Sequence, residues 1–364
     1  MGFTLFKKKS KSCLGIDIGT SSIKIVQLTK EEEKFDLVTY GEISTIGYLE
    51  RLNDAFQITS LKTLEAVTRE MLRILLEKAE TTTKNVVMTI PVFSSFVSVM
   101  EVPEMAEKEL AQAIEFEARR YVPIPVSEVV LDWKIIESGM IKDELSPKPF
   151  RGRRILLIAV PVEVINKYLK IADELNLKVS ALELESFSVA RSLMAGDTSS
   201  VCVLDIGARA SSFTIIDKGV VQMSHSLDVA GAEMTKTLAT GLGVASRRAE
   251  EFKVSYGINP KDSEDKKKEI KELLRLPTEK IIDEIERMLT AYQIKTDRKI
   301  EKLVLNGGSA QLLGLDEYVK TRLDVKTVTA FPWSRVIYPT VIQGVLKKIG
   351  PEFSVAAGAA MREE

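Results

Sequence analysis

One histidine, His225, and two cysteines, Cys13 and Cys202, are present in 364 residues. That scarcity excludes a disulfide framework, and neither cysteine has the CxxC or Cys/His neighbourhood of a zinc site. Each is expected to be a reduced thiol in a strand, as in a cytosolic protein. Any nucleophile–histidine catalysis would have to use His225, and nothing near it resembles a nucleophile elbow. Long apolar runs are missing as well. The longest uncharged stretch, Asn85 to Met100, is interrupted by Pro91 and is shorter than the ~20 residues that a membrane-spanning helix needs. Lysines at 7, 8, 9 and 11 lead into no apolar core, so they are not read as a secretory signal, and a cytoplasmic protein is expected. Finally, 51 Lys and Arg face 52 Asp and Glu, which leaves no global field to hold nucleic acid.

With 45% hydrophobic and 28% charged residues, the composition is that of a folded globular protein, and disorder, collagen and coiled coil are excluded. The length implies two domains or one large divided one. An internal repeat decides between them. Cys13 to Val26 (CLGIDIGTSSIKIV) is echoed by Val201 to Ile216 (VCVLDIGARASSFTII). Each copy is an apolar strand, Asp-Ile-Gly, a small-residue turn, Ser-Ser and a second apolar strand. Two copies about half a chain apart point to a duplicated fold; a solenoid would need many short periods.

Each copy reads as a β-hairpin with the carboxylate and glycine at its tip. Apolar residues at helical spacing predict helices through Leu61–Ala79, Ile165–Leu175 and Ile281–Tyr292, with their stripes facing a core. Strands are predicted at Asn85–Ile90, Phe96–Val102, Val129–Glu137, Ile155–Val160, Lys178–Leu184 and Lys302–Leu305. The alternation gives an α/β class. A compact insertion follows Pro103 and includes a Gly/Pro loop from Ser138 to Gly152. A charged helical segment from Gly231 to about Lys299 is expected to be two helices separated by Pro277, with a solvated face.

The glycine turns suggest phosphate chemistry. Gly19 allows a tight turn with exposed amides, and Thr20, Ser21 and Ser22 leave room for phosphate oxygens. Asp17 would hold a magnesium ion through water, because Mg²⁺ takes few carboxylates and keeps much of its shell. Lys24 could reach back to phosphates as a point charge. The second hairpin offers Asp205 and Gly207, and two such tips would clamp a polyphosphate and its metal. A third element, Leu303 to Leu313, is an apolar strand, Gly307-Gly308 and then a helix start favouring an anion.

These three elements in this order resemble the actin-like ATPase superfamily, which includes actin, chaperone ATPases, sugar kinases and FtsA. The resemblance covers nearly the whole chain. It implies a duplicated, two-lobed fold with an FtsA-like inserted subdomain, divided as 1A (1–102 and 182–199), 1C (103–181), 2A (200–230 and 300–364) and 2B (231–299). Asp17 to Lys24 and Asp205 to Ser212 look like its two phosphate loops, and Gly307-Gly308-Ser309 like the adenosine loop. Leu184 to Ala190 and Phe353 to Ala360 resemble its two small-residue crossing helices. ATP and Mg²⁺ are the implied cofactors, with Asp17 and Asp205 toward the metal. Gly19, Thr20, Ser21, Ser22, Lys24, Gly207, Gly231, Gly307, Gly308 and Ser309 are the implied nucleotide contacts. Glu250 and Lys253 resemble the helix that touches ribose and base, while an ordinary i, i+3 surface ion pair explains them equally. Glu185 falls where chaperone relatives keep a glutamate near the attacking water. The second loop reads Asp-Ile-Gly-Ala-Arg-Ala where efficient ATPases have a run of glycines, so binding with slow or no hydrolysis is expected.

Within that superfamily the segments Leu5-Phe6-Lys7-Lys8-Lys9, Phe116 to Pro125 (FEARRYVPIP) and Val129 to Trp133 (VVLDW) are similar to the PilM family of type IV pilus assembly proteins. FtsA carries an amphipathic membrane-binding helix, whereas this sequence stops at Met361-Arg362-Glu363-Glu364, directly after the second small-residue helix. The family resemblance implies a cytoplasmic scaffold, peripheral at the inner membrane through its partners. It would hold the short N-terminal cytoplasmic tail of PilN in a groove between 1A and 1C, with other pilus assembly proteins as further partners. An FtsA-like division protein, an actin-fold ATPase or small-molecule kinase, and a type II secretion component are the alternatives.

Overall fold

The computed structural model describes residues 11–45, 59–141, 150–258 and 265–363. The Leu5 to Lys9 stretch, the side chains of Leu61 and Leu64, the tip of the Ser138–Gly152 loop and residues 259–264 of the charged segment lie outside the described residues.

The chain opens with β1 (Ser12–Ile18), β2 (Ser22–Glu31), β3 (Lys34–Ser44), α1 (Thr59–Lys78) and β4 (Asn85–Ile90). Next come β5 (Phe96–Pro103), α2 (Glu107–Glu117), β6 (Val129–Ile141), β7 (Phe150–Pro161), α3 (Val162–Glu174), β8 (Lys178–Leu184) and α4 (Glu185–Met194). The second half holds β9 (Val201–Ile206), β10 (Ser211–Asp217), β11 (Val220–Leu227), α5 (Gly231–Leu242), α6 (Ser246–Tyr256) and α7 (Asp265–Thr296). It closes with β12 (Lys302–Asn306), α8 (Leu315–Leu323), β13 (Lys326–Thr329), β14 (Val336–Ile337) and α9 (Gln343–Ala360).

The duplication is plain in the sheets. One sheet runs β14-β3-β2-β1-β4-β8 and another β11-β10-β9-β12-β13, so the same five-strand order occurs twice. In each, a three-stranded antiparallel meander is followed by strands that join parallel: β1 with β4, and β9 with β12. β4 and β9 are almost continuously apolar and buried, as expected of parallel strands covered on both faces. This is a duplicated α/β architecture.

The described residues form two units. The first takes residues from 1–90, 167–195 and 331–364. Its core packs Val26, Leu28 and Phe35 against Trp333, Leu346, Phe353 and Ala356. Small residues let backbones meet here. A Cβ on Gly15 of β1 would lie 2.0 Å from the carbonyl oxygen of Ala356, and one on Gly358 of α9 would lie 1.8 Å from that of Ser188 in α4. Arg191 of α4 crosses the same seam. Its guanidinium donates to Gly358 O at 2.6 Å and, at 2.7 and 2.8 Å, to the buried Glu183 carboxylate. Arg362 and Ser188 (2.5 Å) also donate to that carboxylate.

The second unit comprises 91–166 and 196–330. Its larger core gathers Phe213, Met234, Leu238, Phe252, Leu274, Ile281 and Ile285 around the five-stranded sheet. A smaller core seats Leu110 and Ile114 of α2, with Ala118 in the 3-10 turn directly after it, four residues apart on one face, upon the β5-β7-β6 sheet. Buried Arg154 of β7 ties that sheet to α7. It donates to Glu101 at 3.0 Å, to Glu137 at 2.8 Å and to the backbone carbonyl of Lys295, in the last turn of α7, at 3.1 Å.

Two expectations about local structure change. Pro277 does not separate a pair of helices: α7 is one helix running through it. The ring removes one hydrogen bond and crowds the preceding turn, at a typical cost of about 3 kcal/mol. Ile270 and Leu274 before it, and Ile281, Ile282 and Ile285 after it, bury against a single core, and that burial outweighs the break. The Ser138–Gly152 loop is also shorter than expected. Strand pairing continues through Ser138–Arg153, Gly139–Gly152, Met140–Arg151 and Ile141–Phe150.

Candidate functional site

In the first unit the β1–β2 turn is built by its own backbone. Gly19 N–H donates to Ser22 O at 3.0 Å, while Thr45 anchors the turn from β3's end, its N–H to Ser21 O (2.8 Å) and its hydroxyl to Thr20 O (3.1 Å). Antiparallel register sets Lys24 directly opposite Asp17. The Lys24 ammonium lies 2.5 Å from Ser22 Oγ and 3.3 Å from a Glu42 carboxylate oxygen. Burial raises the Asp17 pKa, against the opposing pull of Lys24 and of the Thr89 hydroxyl at 3.4 Å. Thr89, in register with Asp17 on β4, was not singled out by the sequence. Glu185 is the first residue of α4. It and Asp17 both act on the buried Tyr168 phenol, whose pKa is raised first by burial and then by these two carboxylates.

Seven residues singled out from the sequence converge in the second unit. Gly207 O accepts hydrogen bonds from Gly231 N–H (3.2 Å) and from the Ser309 hydroxyl (3.0 Å). The Lys253 ammonium sits 3.2 Å from Gly231 O, 3.0 Å from the Thr235 hydroxyl and 2.7 Å from Glu250. Thr235 in turn bonds Glu250 at 2.5 Å. The Glu250–Lys253 ion pair is therefore made, and it also lines this cluster. Side chains are excluded at two positions. A Cβ on Gly231 would fall 2.3 Å from Ser309 Oγ, and one on Gly307, where φ is +84°, would fall 2.5 Å from an Asp205 carboxylate oxygen. Asp205 ends β9 beside Asn306, which donates its side-chain amide to it.

The double glycine leads into a 3-10 turn, Gly308–Gln311, and not an α-helix; α8 starts only at Leu315, after Gly314 at φ +79°. Sequence reasoning missed Asn306 and Thr235. Asn306 gains its place only from strand register, and Thr235 from following Gly231 by one helical turn.

Among the described residues no three acidic, histidine or cysteine side chains converge as a closed metal cage. Taken by itself, the turn of each unit carries a single carboxylate, Asp17 in the first and Asp205 in the second, and such hard oxygen donors are the kind that a hydrated Mg²⁺ takes. His225 stands apart from these groups. It stacks on Phe213 with ring centroids 6.4 Å apart and meets Glu284 at 3.3 Å, and burial followed by the Arg287 charge lowers its pKa. Neither cysteine is in a disulfide, and no helix among the described residues is long and apolar enough to cross a membrane.

Cell division protein FtsA of Staphylococcus epidermidis is 22% identical over 94% of this chain and 77% of its own length. Among solved structures, a PilM-PilN type IV pilus biogenesis complex superposes with a TM-score of 0.79 at 24% identity, over 96% of this chain and 98% of that one. The MamK double helical filament gives 0.54 at 14% identity over 96% and 97%. MreB5 of Spiroplasma citri bound to ADP gives 0.52 at 12% over 96% and 94%. These likenesses establish an actin-like ATPase fold. The family model for type IV pilus assembly protein PilM matches residues 15–364, and the chain belongs to that family.

Proposed function

We propose that this chain is an ATP-binding scaffold of the type IV pilus inner-membrane assembly platform, with Mg²⁺ accompanying the nucleotide. The observation that carries the nucleotide reading is the cluster in the second unit, where Gly207, Gly231, Lys253 and Ser309 meet in direct contact and Gly231 lies too close to Ser309 Oγ to carry a side chain. In the second unit Asp205 would hold water molecules of the metal, which when bound offsets phosphate charge, Glu250 and Lys253 would meet the ribose and base, and Gly307 to Ser309 the adenosine. In the first unit, taken by itself, Asp17 is the proposed metal-facing carboxylate and the Gly19–Ser22 turn with Lys24 the proposed phosphate turn. Arg209 and the alanines beside Gly207 leave fewer free turns around the terminal phosphates, and Glu185 is the sole residue proposed for orienting water. Binding with slow or negligible hydrolysis follows.

The partner reading is that the chain holds the N-terminal cytoplasmic tail of PilN and so sits at the inner membrane through its partners, as a cytoplasmic protein. Its support is the family together with the solved PilM-PilN complex. Nucleotide would modulate this contact only through different affinities for different conformations.

Two measurements test the proposal. Titration with a fluorescent ATP analogue should show saturable binding that Mg²⁺ tightens, with multiple-turnover phosphate release well below the ~10 s⁻¹ typical of enzymes. Absence of binding sinks the nucleotide reading, and rapid turnover sinks the scaffold. A synthetic PilN tail peptide should bind in fluorescence anisotropy; a chain that ignores the peptide but binds a tubulin-like division protein would instead be FtsA-like.

A further inference from the structure

Asn306 is 1% exposed, at the end of β12 and in register with Asp205 on β9. Its amide nitrogen donates to one Asp205 carboxylate oxygen. The other carboxylate oxygen faces Gly307, and a Cβ there would come within 2.5 Å of it. Asp205 is thus held on two sides, by an amide and by a bare backbone. The orientation of the amide is fixed by its neighbour: turned over, its oxygen would face a carboxylate, two acceptors against each other. The consequence concerns the other atom of the same amide. Asn306 Oδ1 is buried and has no hydrogen-bond partner among the described residues. A buried acceptor left unmet is a standing penalty, and such groups in native proteins generally have a partner supplied from elsewhere.

We infer that Asn306 is a binding residue of the metal–nucleotide complex, its Oδ1 accepting a hydrogen bond from a water carried by the divalent cation that Asp205 faces, while its Nδ2 fixes the Asp205 carboxylate toward the same water shell. This rests on the nucleotide reading above. Chemistry selects the ligand class. The orphan atom is an acceptor and so needs a donor; a phosphate oxygen is an acceptor and cannot serve. A water bound to Mg²⁺ is a strong donor, and Mg²⁺ keeps several of its waters when bound. Asparagine suits the position because one planar amide both donates to the carboxylate and accepts from the shell. Leucine has nearly its shape and does neither.

The test compares the affinity of a fluorescent ATP analogue in Mg²⁺ and in EDTA, for the full chain and for Asn306→Leu. In the parent, Mg²⁺ tightens binding. In Asn306→Leu the Mg²⁺-dependent increment falls by about tenfold or more, the size expected of a hydrogen bond to a charged group, a larger loss than any in EDTA. Asp205→Asn loses the same increment, and the double variant loses no more than either single one, because both side chains act on one ion. If Asn306→Leu does not fold, as judged by circular dichroism, Asn306→Ser, smaller and polar, is read in the same way. Equal losses in Mg²⁺ and EDTA, or none in either, overturn the assignment of Asn306 and leave nucleotide binding standing. A parent chain that binds no nucleotide under either condition overturns both.

Discussion

Replacing Gly358 by alanine adds one methyl group to α9, and the structure says that there is no room for it. The new carbon would sit 1.8 Å from the carbonyl oxygen of Ser188 and 2.5 Å from its carbonyl carbon. Those are backbone atoms of α4, so no side-chain rotation relieves the clash. Reaching even the 3.0 Å limit of real contacts moves α4 away by roughly 1.2 Å, which interiors at crystal-like density resist. The movement strains the 2.6 Å bond from Arg191 to Gly358 O, and with it the orientation of the guanidinium on Glu183. Overpacking costs about 1–3 kcal/mol and a weakened charged hydrogen bond about 1.5–3; Gly358→Ala is therefore expected to destabilise the first unit by about 3–5 kcal/mol. Buried Trp333 reports on this core, donating its indole N–H to Leu346 O at 2.9 Å. The chain has two tryptophans, and a Trp133→Phe background leaves Trp333 as the only fluorophore of its kind. Urea unfolding in that background should shift its midpoint down by about 1 M or more, given slopes of ~3 kcal/mol/M. Gly344 supplies the control on the same helix. Nothing lies within 4 Å of a Cβ there, so Gly344→Ala should stabilise by about 0.5–1 kcal/mol through reduced chain entropy. A Gly358→Ala midpoint level with the parent, or both alanines shifting the same way, refutes the packing argument.

Three further outcomes are expected. Burial pushes the Cys202 thiol up to about 12, so iodoacetamide at pH 8 should leave it unmodified in the native chain and label it in urea; native labelling by mass spectrometry would contradict its place in β9. Burial alone would raise the Glu183 pKa, but Arg191, Ser188 and Arg362 reverse this and hold it below the ordinary value. Its contribution to stability is then complete above the unfolded value of ~4.3 and disappears as pH falls through the lower folded one. Trp333-monitored unfolding should accordingly show a smaller loss between pH 6 and pH 3 in Glu183→Gln than in the parent, and equal losses would count against the network. Pro277→Ala restores a backbone donor inside α7 and should raise the thermal midpoint, by up to the ~3 kcal/mol that an interior proline costs; a lower midpoint would mean that the buried ring itself holds the helix.

Much of this architecture could be read in advance because its signals are local. Asp17-Ile18-Gly19 and Asp205-Ile206-Gly207 sit at the tips of alternating apolar strands, so the hairpins and their repetition are carried by contiguous residues. The helix through Met71, Leu72 and Leu75 announces itself by spacing. Other features depend on partners that are distant in sequence. Pro277 is a strong local breaker, and only the shared burial of Leu274 and Ile281 keeps α7 whole. After Gly307-Gly308 the apolar Leu312 and Leu313 resemble a helix start, yet the left-handed turn at Gly314 delays α8. Asn306 looks like an ordinary strand terminus until register sets it against Asp205, about a hundred residues earlier. Arg154 is similar: nothing in Arg153-Arg154-Ile155 indicates which arginine turns inward toward Glu101 and the end of α7.

The close seat of Gly15 on α9 has a consequence for synthesis. β1 emerges from the ribosome early, but the backbone it rests against, at Ala356 and Ala360, is made more than three hundred residues later. Residues 91–166 and 196–330, which share one unit, are all translated in that interval. The unit begun first is thus completed after the other has been made, and its sheet must wait with an uncovered apolar face. Such an interval exposes a chain to aggregation and to chaperone capture. A stop codon ahead of α9 would leave that face permanently bare, so the truncated product should be insoluble or degraded and not a trimmed version of the same protein.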